Sequence, residues 1–355
     1  MSKSSKYMAM ATGASASPEA KELVAQPPLH PASFDKLDPL RLDQLYLYYE
    51  GDDKLDPEKK KYRYRLTVVD RNLLPTSHLG FPTAVFLIPA GRETEYIFHS
   101  QKGLLSIAES AKCARLVAVS FGRSSTFPDQ AFVQEELTYV VQILSRQGSF
   151  LPAFHQNKHA SNASIPFMAI DGIGSRNVLV EGESTMSGAY LVEQVKAEEE
   201  RIVRRLYFMD NPFVIQSEVA MLPSDSNQVD KSYLAFEYHK YMVAGIAALA
   251  SALHTDAAPT KQYGCVIGLG GGGLLNFLQH VLRNNEITVV ELDPSVVQVA
   301  EKYFGFVQDE STRVVVGDGL EVCRKEDAVK PEMGIEPQSL SFLAIDVDSK
   351  DNTVG

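Results

Sequence analysis

A run of glycines is the part of this sequence with the clearest chemical use. Five of the six residues from 268 to 273 are glycine, between a short apolar stretch and a helical pattern. Gly268, Gly270 and Gly272 would allow a tight turn from a strand into a helix, with room for a ligand at the helix N-terminus. Gly268, Gly270 and Gly273 also match the dinucleotide fingerprint G-x-G-x-x-G. Two large cofactor classes use such a turn, and the alternative is a purely structural turn.

An acidic residue follows the next predicted strand at a spacing that suits a nucleotide ribose. Glu291 comes 23 residues after Gly268, at the end of "EITVVE". A carboxylate there can accept hydrogen bonds from both ribose hydroxyls of NAD or of S-adenosylmethionine, so Glu291 does not separate the two cofactors. The alternative is an ordinary exposed carboxylate at a strand end.

Three further acidic residues, which follow two predicted strands, favour S-adenosylmethionine and suggest a reaction. Asp318-Gly319 ends a third strand, where the carboxylate can accept from the exocyclic amine of adenine; dinucleotide-binding folds do not usually have Asp-Gly there. Asp346 and Asp348 follow a fourth strand. Beside a sulfonium cofactor, two carboxylates suit an amine acceptor, since they can orient the amine, take up its proton and stabilise a cationic transition state. For Asp348 the alternative is a helix cap.

Four apolar runs would position these residues. The predicted strands are "GCVIGLG", "EITVVELD", "TRVVVGDG" and "LSFLAIDVD", and the first three are nearly continuous in Val and Ile, as buried parallel strands are. Between the second and third strands, Asp293, Pro294 and Gly305 predict the cap, the first turn and the end of a helix. The alternation predicts an α/β fold with a Rossmann-like parallel sheet, whose glycines and carboxylates lie at the carboxyl ends of the strands.

The upstream sequence divides into four segments. Residues 1–33 are small and polar and predict a disordered tail, whereas residues 34–148 predict a mixed α/β unit. Residues 149–188 read as a connector with a strand, and residues 189–235 as a β-hairpin region. The parallel domain then fills residues 236–355.

Two patterns give expectations about burial. The sequence "YRYRLTVVD" alternates as a half-buried strand does. "FEYHKYMVAGIAALASAL" predicts a helix with Met242, Ile246, Leu249 and Leu253 on its buried face. His239 of this helix is expected to pack rather than to take part in chemistry.

Composition argues against several classes of function. The 355 residues carry a net charge of −11, which argues against nucleic-acid binding. No apolar run is long enough to span a membrane, and no secretory signal is evident. Three dispersed cysteines form neither a disulfide framework nor a metal-ligand spacing, and His155 and His159 fall in a polar loop. We therefore expect a metal-free cytoplasmic protein, and the oligomeric state stays open.

These motifs resemble the class I methyltransferases of the spermidine-synthase-like superfamily. The resemblance begins near Ala189, and "NPFVIQSEV" is similar to a strand that would put Gln216 near the methionine end of the cofactor. A closer resemblance, reaching upstream to about Ala84, is to the family of eukaryotic elongation factor 1-alpha lysine and N-terminal methyltransferases. Its motifs here are "FLIPAGRETEYIF", "VIQSEV", "DKSYLAFEYHK", "GLGGGGL", "ELDPSVVQVAEKYFGF" and "DVDSKD".

The resemblance implies a domain, a cofactor and a substrate. Residues 236–355 would form a class I methyltransferase domain that binds S-adenosyl-L-methionine and methylates the N-terminal α-amine of elongation factor 1-alpha. The implied catalytic residues are Asp346 and Asp348. The implied cofactor-binding residues are Gln216, Gly268, Gly270, Gly272, Glu291, Asp318, Gly319 and Asp346.

The sequence departs from the resemblance in two ways. Gly271 stands where spermidine synthases have an aspartate that helps to hold the charged tail of their cofactor, which weakens a role in aminopropyl transfer. The sequence also stops after the fourth of the seven strands that the family has. We therefore expect a shortened chain with an incomplete sheet, its fourth strand at the edge and part of the acceptor wall missing. Whether such a chain is active stays open.

Three other functions compete with methyl transfer. One is polyamine aminopropyl transfer, and another is a non-catalytic role in which the incomplete sheet binds a partner. A nicotinamide dehydrogenase comes last, because Asp318-Gly319 has no use there and no catalytic His or Tyr constellation stands out.

Overall fold

The chain forms two compact units, Met1–Arg176 and Asn177–Gly355. The computed structural model describes residues 6–7, 23–26, 43–49, 62–71, 80–123, 125–145, 165–170, 172–197, 200–253, 262–282, 285–324 and 340–347. The boundary between the units lies inside the segment 149–188, which the sequence predicts to be a connector. The predicted loop histidines, His155 and His159, lie outside the described residues.

A seven-stranded sheet forms the centre of the first unit. Its strands are β1 (Lys6–Tyr7), β2 (Leu23–Gln26), β3 (Asp43–Tyr49), β4 (Tyr64–Asp70), β5 (Phe81–Leu87), β6 (Cys113–Phe121) and β7 (Phe167–Ala169). Their order is β1-β2-β3-β4-β6-β5-β7, and β5 pairs in parallel with both β6 and β7. Because β1 and β2 lie within residues 1–33, the prediction of disorder is wrong for these two short strands.

Helices cover both faces of this sheet. They are α1 (Tyr96–His99), α2 (Gln101–Ser110) and α3 (Gln130–Ser145). Leu104 of α2 packs in a cluster with Val69, whereas Leu137 of α3 packs in another with Leu66. All seven residues of β4 are therefore buried, and the prediction of a half-buried strand is wrong because neither face is left to solvent.

A buried ion pair joins the loop that follows β5 to Arg176, the residue that ends the loop after β7, closes the first unit and begins the next strand. Glu93 Oε1 lies 2.7 Å from Arg176 Nη2, and Glu93 Oε2 accepts a hydrogen bond from Gly91 N at 3.0 Å. Burial alone would raise the pKa of Glu93, but the charges of Arg176 and Arg123 bring this pKa below its usual value. Glu93 is therefore a charged group in the interior of the first unit.

The second unit begins with a five-stranded antiparallel sheet. Its strands are β8 (Arg176–Ser184), β9 (Gly188–Lys196), β10 (Ile202–Phe208), β11 (Ser217–Leu222) and β12 (Asp225–Val229), in the order β12-β11-β10-β9-β8. The predicted hairpin of β9 and β10 is confirmed. The strand predicted in "FVIQSEV" begins only at Ser217. The residues before it form turns, one of which is closed by the hydrogen bond from Val214 N to Asn211 O.

The predicted parallel sheet is confirmed. Its strands are β13 (Gln262–Ile267), β14 (Asn285–Glu291), β15 (Thr312–Val316) and β16 (Phe342–Ile345), in the order β15-β14-β13-β16. All three pairings are parallel. In the described sheet β16 is an edge strand, and its outward side chains Leu343 and Ile345 are 49% and 51% exposed.

In the part of the second unit that the structure describes, four helices accompany this sheet. They are α4 (Glu237–Leu253), α5 (Gly273–Val281), α6 (Pro294–Tyr303) and α7 (Gly319–Arg324). The Asp293 side chain caps α6 by accepting from Ser295 N at 2.8 Å, as predicted. Ile246 of α4 packs into the core, with Met242 and Val243 against it. Leu249 is 50% exposed, so its predicted burial is wrong: the apolar stripe that meets the sheet is narrower than the sequence pattern. The Leu253 side chain is not described.

Within the described parts of the chain, no helix is long and apolar enough to cross a membrane.

Candidate cofactor and acceptor site

The glycine-rich loop joins β13 to α5 at the carboxyl end of the parallel sheet. Gly268, Gly270 and Gly272 have φ angles of +94°, +53° and +76°, in the left-handed region. A Cβ atom on Gly268 would also lie 1.9 Å from the carbonyl oxygen of Asp346, at the end of β16. Glycine is therefore required at position 268 both by its backbone conformation and by the neighbouring strand.

Other parts of the protein occupy the space beside the remaining loop glycines. A Cβ atom on Gly270 would lie 2.7 Å from Ser217 Oγ, and one on Gly272 would lie 2.9 Å from Cβ of Phe306. The sequence predicts that the bare backbone makes room for a ligand. The structure corrects the reason, because protein atoms crowd these positions before any ligand is considered.

Glu291 is held at the end of β14 by the backbone of its neighbours. Its Oε2 accepts from Leu269 N in the glycine-rich loop at 2.8 Å, and its Oε1 accepts from Asp293 N at 2.9 Å. The residue is 9% exposed. An ionised carboxylate has about four acceptor positions, so each oxygen can accept one further hydrogen bond. The carboxylate is thus fixed in place and still has acceptor capacity.

Asp318 and Gly319 lie just after β15, also at the carboxyl end of the parallel sheet, and Gly319 is the first residue of α7. Asp318 Oδ1 accepts from Leu320 N at 2.8 Å, so this exposed carboxylate caps the short helix. A Cβ atom on Gly319 would lie 2.2 Å from Cγ2 of Ile267, the last residue of β13. The Asp-Gly pair therefore has a local structural role, which leaves the predicted contact with adenine as a proposal.

Gln216 reaches the glycine-rich loop through the residue that follows it. The Ser217 hydroxyl donates to the carbonyl oxygen of Gln216 at 2.8 Å and accepts from Gly271 N at 2.8 Å. No pattern in the sequence pointed to Ser217, since a single serine at the start of a strand has many ordinary uses. The hydrogen bond from Gly271 N to Ser217 Oγ therefore links β11 to the loop, a contact that the sequence did not predict.

Asp346 is paired with a histidine from α4. His239 Nε2 lies 2.8 Å from Asp346 Oδ2, and both residues are largely buried. His239 packs, as expected, and the first turn of α4 also brings its ring to the end of β16. Asp348, the other predicted catalytic residue, lies outside the described residues.

Gly271 has no room for the aspartate that spermidine synthases have there. A Cβ atom at this position would lie 2.9 Å from Cδ1 of Phe304 and 2.9 Å from Cβ of Ser217. Even an alanine would force the loop or these side chains to move. The packing therefore agrees with the absence of that carboxylate.

A metal centre was predicted to be absent, and only the described residues bear on this prediction. Among the residues that it describes, no group of three or more His, Cys, Asp or Glu side chains could hold a metal ion. The polar groups described at the carboxyl end of the parallel sheet are carboxylates, His239 and backbone N–H groups.

Comparison with curated proteins identifies relatives over most of the chain. It is 35% identical over 330 residues to the eEF1A lysine and N-terminal methyltransferase of Xenopus laevis, covering 85% of this chain and 45% of that protein. The human protein of the same name is 33% identical over 332 residues, with the same coverage. The chain is a homologue of the eEF1A lysine and N-terminal methyltransferases. It spans less than half the length of these relatives.

The eEF1A methyltransferase homology is accompanied by weaker likenesses. A polyamine aminopropyltransferase of Vibrio vulnificus (strain CMCP6) is 33% identical over 88 residues, 25% of this chain and 27% of that protein. Among solved structures, human Methyltransferase-like protein 13 in complex with SAH matches with 32% identity over 34% of this chain and 51% of that one, at a TM-score of 0.27. Spermidine synthase from Thermotoga maritima matches with 22% identity over 41% of this chain and 43% of that one, at a TM-score of 0.26. No protein-family model matches the sequence.

Proposed function

We propose that this chain is a cytoplasmic S-adenosylmethionine-dependent methyltransferase that acts on the N-terminal α-amine of elongation factor 1-alpha. The observation that carries the proposal is the fixed Glu291 carboxylate, held by Leu269 N of the glycine-rich loop at the edge of the sheet where Asp346 also lies. The names of its relatives support the substrate, and three dispersed cysteines support the compartment.

The residues at this edge fit the cofactor. Glu291 has one further acceptor position on each oxygen, which suits the two ribose hydroxyls. Asp318 would accept from the adenine amine, and Gln216 would lie near the methionine end. Gly268, Gly270, Gly272 and Gly319 keep the loops close to the strand ends. When bound, the cofactor supplies an electrophilic methyl group on a sulfonium.

The acceptor amine would meet Asp346. At neutral pH an α-amine with a pKa near 8 is largely protonated and must lose a proton before its lone pair can react. The Asp346 carboxylate can hold the ammonium and accept that proton, which is the task of a general base. Asp348 is proposed as the second carboxylate of the same acceptor site.

The experiment that tests the proposal is methyl transfer by the full chain. The substrate is a peptide with the N-terminal sequence of elongation factor 1-alpha, and the donor is methyl-labelled S-adenosylmethionine. We expect label on the free α-amine and none on the same peptide with an acetylated N-terminus. Asp346→Asn should lose the activity, because an amide cannot accept the proton of the ammonium. Label on neither peptide, or equal label on both, would contradict the proposal.

Aminopropyl transfer is the second candidate, and the match to a polyamine aminopropyltransferase favours it over the remaining alternatives. The crowded position of Gly271 disfavours it, because no carboxylate can be held there. We expect no transfer from decarboxylated S-adenosylmethionine to putrescine. Product formation in that assay would replace the methyltransferase proposal.

A further inference from the structure

The ring of His239 packs against two aromatic neighbours, Phe236 and Tyr238, which also stack on each other. The centroid of the Phe236 ring lies 5.5 Å away with the rings nearly perpendicular, and that of Tyr238 lies 4.4 Å away in a tilted arrangement. The residue is 6% exposed. A buried imidazole packed against a pair of stacked rings has few orientations available, and in the structure its Nε2 faces Asp346.

Asp346 is fixed through both its backbone and its side chain. Its backbone N donates to Ile267 O at 2.7 Å, which continues the pairing of β16 with β13. Its Oδ2 faces His239 Nε2 at 2.8 Å. Because an ionised carboxylate only accepts hydrogen bonds, Nε2 is the ring nitrogen that carries the proton in this contact. In the described part of the chain, Oδ1 has no hydrogen-bond partner.

We propose that His239 is a positioning residue for the amine acceptor site: by holding Oδ2 of Asp346 it keeps Oδ1 available to the incoming ammonium. This inference rests on the proposed function. The proton that leaves the ammonium nitrogen binds Oδ1, so the ammonium becomes a neutral amine and the carboxylate becomes a carboxylic acid. Without the histidine, the Asp346 side chain could rotate about its χ angles, and the oxygen that meets the amine would no longer be fixed.

The variants separate positioning from simple packing. His239→Leu fills the space but lacks the N–H donor, whereas His239→Gln keeps a donor on a side chain of similar reach and cannot take a positive charge. His280→Gln is the matched control, because His280 is an exposed residue in the last turn of α5. The readouts are kcat and KM for the eEF1A peptide, the affinity for S-adenosylhomocysteine, and thermal unfolding of the full chain.

We expect His239→Leu to lower kcat at least tenfold with the affinity for S-adenosylhomocysteine unchanged. His239→Gln should recover kcat to within about threefold of the wild type, and His280→Gln should match the wild type. A His239→Leu chain with wild-type kcat overturns the inference, and so does a His239→Gln chain that is as slow as His239→Leu.

A spectroscopic measurement covers the case in which His239→Leu fails to fold. Histidine ring nitrogen NMR of the wild type should show His239 with its proton on Nε2, and this signal should change in Asp346→Asn. A ring protonated only on Nδ1 overturns the inference. If the wild-type chain transfers no methyl group to the peptide, the proposed function fails and the role of His239 fails with it. An active wild type with an unaffected His239→Leu variant overturns this inference alone.

Discussion

The two units both have parallel strands, but they use the carboxyl ends of those strands differently. In the first unit, the loops after β5 and β7 are joined by the ion pair of Glu93 and Arg176. In the second unit, the loop after β13 consists mostly of glycine, and Glu291 is the last residue of β14. Both glutamates are largely buried, so the difference lies in the groups that surround them.

The surroundings decide which carboxylate can serve a ligand. Glu93 faces guanidinium groups, which compensate its charge and tie loops together. Glu291 faces two backbone N–H groups, which fix its position but carry no net charge. A carboxylate such as Glu93 links loops at the end of a sheet. A carboxylate such as Glu291 can still accept hydrogen bonds from a bound molecule. The carboxyl ends of the parallel strands therefore carry a structural ion pair in one unit and a candidate binding site in the other.

The largest effect is expected from Arg176→Ala. Removing the arginine leaves the buried Glu93 charge with only the partial compensation of Arg123, which should lower the free energy of unfolding of the first unit by up to about 3–5 kcal/mol. The control is Arg92→Ala, because the pair of Arg92 and Glu95 is more exposed and should cost about 1 kcal/mol or less. Urea unfolding measures both. Equal losses in the two variants would contradict a structural role for the buried pair.

A glycine in each unit provides the next test. Gly268→Ala should lower the free energy of unfolding of the second unit by about 2–4 kcal/mol, because both its φ and the Asp346 carbonyl oxygen oppose a Cβ. Gly172→Ala in the first unit should cost only about 1–2 kcal/mol, since its φ is +80° but a Cβ would meet nothing within 4 Å. Thermal unfolding of both variants checks the difference. A smaller loss in Gly268→Ala than in Gly172→Ala would show that the described crowding does not control this loop.

Glu291→Ala should weaken the binding of S-adenosylmethionine by roughly 1–3 kcal/mol, the scale of lost hydrogen bonds at a buried polar group. Glu301→Ala is the control, because Glu301 is an exposed carboxylate on α6. Calorimetric titration of both variants measures the affinity. An unchanged affinity in Glu291→Ala would remove this residue from the site.

The smallest effect is expected from pH. Burial would raise the pKa of Asp293, but hydrogen bonds from Ser184, Ser187 and Ser295 bring it below its usual value of 3.8. A lowered carboxyl pKa adds stability above the unfolded-state value, and this stability is lost as the pH falls through the lower folded-state value. Asp293→Asn keeps a good helix cap without the charge, so its stability should fall less steeply below about pH 4 than that of the wild type. Parallel curves for the two chains in acid urea titrations would contradict this assignment.

Local signals in the sequence were enough to predict most of the second unit. The run of Val and Ile in β14, the Asp293 cap of α6 and the turn before β10 all depend on neighbouring residues, and the structure confirms these elements. The position of the glycine-rich loop was predicted correctly for the same reason. The predicted cause of its glycine content, space for a ligand, was wrong, because neighbouring protein atoms crowd these positions.

Contacts between distant residues could not be predicted. Ser217 and Gly271 are 54 positions apart, and His239 and Asp346 are 107 apart, so neither pair leaves a periodic pattern. Leu249 shows the converse: its spacing on α4 suits burial, but the side chain is half exposed, because burial depends on which other elements pack against the helix. The two-sided burial of β4 likewise depends on helices that lie elsewhere in the sequence.

The most direct test of the central claim is calorimetric titration of the full 355-residue chain with S-adenosylmethionine and, separately, with NAD. We predict saturable binding of S-adenosylmethionine at one site, with Glu291 on its ribose. We predict no binding of NAD, because dinucleotide-binding folds do not usually have an Asp-Gly pair at the position of Asp318-Gly319. Binding of NAD alone, or of neither molecule, would contradict the assignment of this edge of the sheet as a methyltransferase cofactor site.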